Sequence, residues 1–169
     1  MQEALQAFRC CLDGDIETFL WNKAIPFLER GLCAVYLLLD ESAFENGKVK
    51  IDAYFTLSHK SLIPEDVSKT KVRNAAGRKD AKSIHFVLIG QLGKYIADAG
   101  DGSRNQADIS AKEILDCAFE VIRASSSLIP CRCALVECSG EPKLHKLYTE
   151  YGFVEFQYDG EHYQFICRI

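Results

Sequence analysis

Tyr148 and Tyr151 are the side chains whose spacing best suits them to move a proton. With Leu144 and Leu147 they recur at helical intervals, so one face of a short helix is apolar and carries two hydroxyls. A phenol ionises near pH ~10, so at neutral pH it is a donor. Tyr151 directly precedes Gly152, a place that suits packing better than proton transfer. His85 opens the most strand-like run of the chain and has the reference pKa of a base. A lone strand histidine equally serves structure. Glu137 falls near the end of another strand, where a carboxylate either binds an amine or simply faces water. No general base is singled out among these. The eight cysteines invite disulfide, zinc or thiol chemistry. Disulfide scaffolds belong to small secreted chains. Cys131, Cys133 and Cys138 lack the paired Cys-x-x-Cys spacing of zinc sites, and no cysteine has a legible histidine partner. They read as structural free thiols, with no metal and a reducing, cytoplasmic setting.

Those side chains need a frame. Asp13 or Asp15 can cap a helix running toward Arg30, with Ile16, Phe19, Leu20, Ala24, Phe27 and Leu28 on one face. Pro26 implies a kink or two short helices, and Gly31 ends the run. Residues 32–39 read as a buried strand, 41–47 as a polar turn and 49–57 as a second strand, antiparallel to the first. Residues 58–83 read as a long charged loop, a length that is usually functional or disordered. A central strand over 84–92 is followed by a polar stretch rich in Gly and Asp up to Asp108. A helix then carries Ala111, Leu115, Ala118, Phe119 and Ile122 on one face, and Ser125 to Pro130 breaks it. The chain closes with a strand over 131–138, the tyrosine helix stopped by Gly152, and strands near 153–157 and 162–168 turned by Asp159-Gly160. This order predicts an α/β or α+β three-layer fold with one mixed central sheet of about six to seven strands.

At 169 residues the chain fits one domain, taken here as 1–169. Residues 1–11 lack the basic start and apolar block of a signal peptide. No apolar run approaches the ~20 residues needed to cross a bilayer. The formal charge of −4 is unlike the broad basic footprint of most nucleic-acid binders. The cations do gather locally, as Lys60, Lys69, Lys71, Arg73, Arg78, Lys79 and Lys82. They form either a solvated loop or a patch for an anionic partner.

Several stretches resemble one family. Leu147-Tyr148-Thr149-Glu150-Tyr151-Gly152-Phe153 is similar to the Phe-Tyr-x-x-x-Gly-Phe end of GNAT-superfamily N-acetyltransferases. Ala53-Tyr54-Phe55-Thr56-Leu57-Ser58 and Val87-Leu88-Ile89-Gly90-Gln91-Leu92 resemble two strands of the group that includes aminoacyl-tRNA-acetylating bacterial toxins. The order helix–ββ–β–helix–β–helix–ββ is similar as well. The resemblance implies a splayed central strand, acetyl-CoA as co-substrate and direct transfer of its acetyl group to a primary amine. That amine is of unknown identity, with the α-amino group of an aminoacyl-tRNA as one candidate, and a homodimer is compatible with it. It further implies that Tyr148 is the general acid. The main chain of Leu92, Gly93 and Lys94 would bond the pantetheine arm, and Arg104, Gln106, Ser110, Ala111 and Lys112 would serve the pyrophosphate.

The family's pyrophosphate loop is where this chain departs. Ile109 stands in Gln106-Ala107-Asp108-Ile109-Ser110-Ala111 where the family has a glycine that lets main-chain N–H groups approach phosphate. Ser110-Ala111-Lys112-Glu113 also spells a capping box, in which the helix satisfies its own donors. The competing expectation is therefore a GNAT-like fold that has lost catalysis and serves as a binding or regulatory module.

Overall fold

The computed structural model describes residues 1–169. Its strands are β1 (Ala34–Leu39), β2 (Ile51–Leu62), β3 (Ile84–Lys94), β4 (Ile96–Asp98), β5 (Arg104–Gln106), β6 (Cys133–Cys138), β7 (Val154–Tyr158) and β8 (Tyr163–Arg168). Six form a mixed sheet in the order β1-β2-β3-β6-β8-β7, while β4 and β5 make a separate hairpin. The helices are α1 (Gln2–Ala7), α2 (Gly14–Asn22), α3 (Ala24–Glu29), α4 (Glu41–Glu45), α5 (Lys69–Ala76), α6 (Ala111–Ser126) and α7 (Pro142–Tyr151). The α/β architecture expected from the sequence is the one found.

Several elements differ from the sequence reading. The segment 41–47 is not a turn but holds α4, capped by the Asp40 carboxylate on the Ala43 N–H at 2.9 Å. The segment 58–83 is not a loop: β2 continues to Leu62, and α5 runs from a Ser68 cap to a left-handed Gly77. The stretch before Asp108 contains the β4–β5 hairpin, and α1 precedes the first helix that was expected. Strand β1 is half-buried along its whole length rather than buried. Cys131 lies outside β6, so it does not share a strand face with Cys133. The Pro26 expectation holds as two short helices, because α2 ends at Asn22 and the proline sits in the first turn of α3, where its missing N–H is not needed.

The chain divides into two units, the first made of residues 1–57 and 91–115, the second of 58–90 and 116–169. In the first, α1, α2 and α3 bury Leu5, Phe8, Phe19, Leu20 and Ala24 against Ile51 and Tyr54 of β2. Tyr54 is fully buried between Phe8 and Phe19, and its hydroxyl donates to the Ile16 carbonyl at 2.6 Å. In the second, α5 packs Val72 and Ala75 on Leu62, Phe86, Leu135, Phe156 and Ile166. A separate group of rings, Phe119, Tyr148, Tyr151, Phe153 and Phe165, joins α6 and α7 to β8.

Candidate active site

Strand β3 pairs with β6 in parallel through only three residue pairs, from Val87↔Ala134 to Ile89↔Val136. It then runs on to Lys94, while β6 runs on to Cys138 in register with β8. The central ladder is thus short, as the splayed-strand expectation requires. Just past its end, the Gln91 N–H donates to the Thr56 hydroxyl at 2.9 Å, a side chain standing in for a strand carbonyl.

The residues expected to hold the pantetheine arm close β3. Gly93 is buried, with Leu92 and Lys94 half-buried beside it. A Cβ at Gly93 would lie 2.5 Å from Tyr54 Cε1 and 2.6 Å from Ile16 Cγ2. Glycine is therefore demanded here by core packing, whatever else it allows. Arg104 and Gln106 are exposed on β5. Ser110 closes the capping box: its N–H and hydroxyl both donate to Glu113 Oε2 at 2.7 Å, and its oxygen accepts from the Glu113 N–H at 3.2 Å. A carboxylate thus already sits at the start of α6, next to Ala111 and Lys112, with the half-buried Ile109 before it.

Tyr148 is built by α7. Pro142 opens that helix, where a proline loses nothing. Gly152 stops it at φ 114°, and the Tyr148 carbonyl accepts from the N–H groups of Gly152 and Phe153 at 3.2 and 2.9 Å. The chain reverses there, and Phe153 swings back onto the Tyr148 ring, with centroids 5.5 Å apart. Phe165 lies at 6.2 Å. The residue is 7% exposed. Its hydroxyl has no hydrogen-bond partner in the protein, yet it is not among the buried unpartnered atoms, which are Asp52 Oδ1, Ser126 Oγ and Gln164 Oε1. It therefore ends at an accessible surface. Burial pushes its phenol up to about 12, with the Cys138 thiol adding to the rise. The group is thus firmly protonated near neutrality.

Tyr151 is spoken for. Its hydroxyl donates to Asp116 Oδ1 at 2.8 Å and ties α7 to α6, and burial followed by that carboxylate raises its pKa. His85 is exposed, with Nδ1 2.6 Å from Ser61 Oγ. Glu137 is held by Lys60, whose Nζ lies 2.6 and 2.7 Å from the two carboxylate oxygens. All eight cysteines are free thiols. Burial pushes Cys133 up to about 11 and raises Cys10, Cys33, Cys138 and Cys167, which disfavours the nucleophilic thiolate. No group of three or more His, Cys, Asp or Glu side chains converges as a metal site. No helix is long and apolar enough to cross a membrane. Leu92, Gly93, Lys94, Arg104, Gln106, Ser110, Ala111 and Lys112 all belong to the first unit, and Tyr148 to the second.

The order of elements, the short β3–β6 ladder and the glycine-stopped tyrosine helix are together consistent with a GNAT-like fold. No protein-family profile matches the chain, and no curated protein matches it. Solved structures do. AtaT complexed with acetyl-methionyl-tRNAfMet shares 18% identity at a TM-score of 0.71, covering 97% of this chain and 86% of that one. AtaTR bound with acetyl-CoA shares 19% identity at 0.70, with 97% and 86% covered. A tyrosine-to-phenylalanine mutant of KacT shares 16% at 0.71, again with 97% and 86% covered. At these identities what is shared is the fold.

Proposed function

We propose that this protein is a toxin-like N-acetyltransferase, a single domain over 1–169 that moves an acetyl group from acetyl-CoA to a primary amine. The observation that carries the reading is the Tyr148 hydroxyl, protonated, without an internal partner, and held on a ring that packing fixes. In the reaction, the neutral amine attacks the thioester carbonyl and a tetrahedral adduct forms. The C–S bond then breaks, and the sulfur leaves with the bonding pair. Tyr148 donates to that sulfur, and the nitrogen gives up one proton. The sum is an N-acetyl amine and the free thiol, with the phenol restored. A phenol near pKa 12 is a weaker acid than a thiol near ~8.5. Tyr148 therefore acts first as a hydrogen-bond donor to the developing thiolate, and full proton transfer follows release from nitrogen.

The main chain of Leu92, Gly93 and Lys94 is assigned to the pantetheine arm. Arg104, Gln106, Ser110, Ala111 and Lys112 are assigned to the pyrophosphate, where the dipole of the sixteen-residue α6 favours an anion. Glu113 opposes that assignment, because its carboxylate occupies the Ser110 N–H and hydroxyl. Phosphate binding there requires Glu113 to turn away, with Arg104 and Lys112 supplying compensating charge. This capping box also favours the second reading, a fold retained as a binding module without acetyl transfer. Calorimetric titration with acetyl-CoA decides between them. Saturable binding with thiol release on adding a primary amine supports the enzyme, and no heat at millimolar acetyl-CoA supports the module.

The acceptor class we favour is the α-amino group of an aminoacyl-tRNA. AtaT, which shares the fold, is seen with acetyl-methionyl-tRNAfMet. Here α5 exposes Lys69, Lys71 and Arg73 and carries no acidic residue. Binding of tRNA that weakens steeply with salt, and is lost when those three are replaced by glutamine, supports this acceptor. Salt-independent or absent binding removes it.

A further inference from the structure

Beyond the ladder that joins β3 and β6, a polar cluster assembles from β2, β6, β8 and the β7–β8 turn. Gln164 of β8 stands opposite Glu137 of β6 in register. Its Nε2 donates to Glu137 Oε1 at 2.7 Å and to Asp159 Oδ2 at 3.0 Å. Lys60 bonds both oxygens of Glu137. The main-chain N–H groups of Glu161 and His162 donate to Asp159 Oδ1 at 3.0 and 2.7 Å, which holds that carboxyl ionised.

Gln164 is only 2% exposed, and its Oε1 has no hydrogen-bond partner. Turning the amide over does not relieve this, because it would set the oxygen against two carboxylates and strand the two N–H donors. The oxygen is therefore a buried acceptor waiting for a donor, an arrangement that native proteins rarely leave empty. The charges are also unbalanced. Two carboxylates face one lysine, and the second basic group beside Asp159 is His162; with that imidazole counted as neutral, the cluster carries one uncompensated negative charge. A group that brings both a positive charge and an N–H donor satisfies both deficits.

We propose that this cluster is the acceptor subsite, and that it binds a primary ammonium. Calling it the acceptor subsite rests on the acetyl-transfer reading; ammonium binding does not. Side chains alternate across a strand, so Glu137 and Cys138 point to opposite faces of the sheet. Phe165, next to Gln164 on β8 and so on the opposite face from it, lies 6.2 Å from the Tyr148 ring. The amine thus docks on one face of β6 and the phenol lies on the other. The bound ammonium first loses one proton to water to give the neutral amine that attacks, and acetylation then leaves a neutral amide without the charge that held it, so the same cluster favours release of product.

The test is a ¹H–¹⁵N spectrum of the full chain that follows the Gln164 side-chain amide, assigned by its loss in Gln164→Met. Glycinamide hydrochloride, a primary ammonium, is titrated against tetramethylammonium chloride at matched ionic strength. The proposal expects a saturable shift of the Gln164 signal with glycinamide and none with tetramethylammonium. No saturable shift, meaning that water alone serves the oxygen, or equal shifts from both cations, overturns it. Asp159→Asn, on an exposed turn, should weaken glycinamide binding about threefold, in the range of a partly solvated ion pair. An unchanged affinity overturns the proposal as well. A parallel acetyl-CoA titration keeps the two readings apart: glycinamide binding without acetyl-CoA binding sinks the enzyme and leaves the ammonium site standing.

Discussion

Replacing Tyr148 with phenylalanine separates chemistry from packing. The ring keeps its contacts with Phe153 and Phe165, and the hydroxyl that is lost has no partner within the protein. Folding stability should therefore change by no more than about 0.5 kcal/mol, the range of substitutions that break no internal contact. Catalysis should respond very differently. If the phenol donates to the departing sulfur, its removal costs about 10²–10³-fold in kcat, or about 2.7–4 kcal/mol. Tyr54→Phe is the control. That hydroxyl donates to the Ile16 carbonyl at 2.6 Å, so its loss should cost about 1 kcal/mol of stability. The assay is single-turnover release of thiol from acetyl-CoA with a primary amine, alongside calorimetric affinity for acetyl-CoA and urea unfolding. The expected result for Tyr148→Phe is a large fall in kcat with affinity and stability held. A fall of less than about fivefold, or a parallel loss of stability, would refute the reasoning and leave Tyr148 as a packing residue.

Gly93→Ala should destabilise the fold by about 1–3 kcal/mol, because the new methyl meets the buried Tyr54 ring at 2.5 Å; urea unfolding reads this directly. Glu113→Gln keeps the capping box but removes a negative charge from the start of α6, so acetyl-CoA affinity should rise about two- to fivefold. If affinity is unchanged or weaker, the pyrophosphate lies elsewhere. Alkaline unfolding follows from the buried phenols. The folded state holds the Tyr148 proton up to about pH 12, whereas the unfolded chain releases it near pH ~10. Stability should be full below about pH 10 and fall by about 2–3 kcal/mol from this residue as the pH rises to 12. Tyr54 and Tyr151, whose pKa values burial also raises, act in the same direction. Unfolding curves at pH 9 and pH 11.5 test this, and Tyr148→Phe should flatten the slope.

What could be read without coordinates was what local rules determine. The α7 pattern, its glycine stop, the Ser110–Glu113 box and the strongest apolar strands carry their signals in adjacent residues. The elements that escaped are those whose signal is short or diluted. Helix α5 buries only Val72 and Ala75, so its charged surface masked its period, although Ser68 and Gly77 mark its ends. The end of β2 is polar because Lys60 and Ser61 bond to other strands of the sheet, and only Leu62 after them enters a core. The role of Tyr148 came from family resemblance, and the structure adds what the sequence lacks, an unpartnered hydroxyl. Gln164 gave no sign at all. A glutamine between Tyr163 and Phe165 looks like a solvent-facing strand position until Glu137 of β6 and Asp159 of the β7–β8 turn bring two carboxylates to it.

The division into units has a bearing on how the chain is made. Neither unit is one continuous stretch: the first needs residues 1–57 together with 91–115, and the second resumes at 116 and ends with β8. Many larger proteins fold from the N-terminus as each portion emerges during synthesis. Here the N-terminal helices cover Ile51 and Tyr54 of β2 and pack on Tyr95, so the surface beneath them is complete only once synthesis has passed residue 95. A chain truncated after Leu57 should therefore be more protease-sensitive than one ended after residue 115, because only the longer one holds all of the first unit.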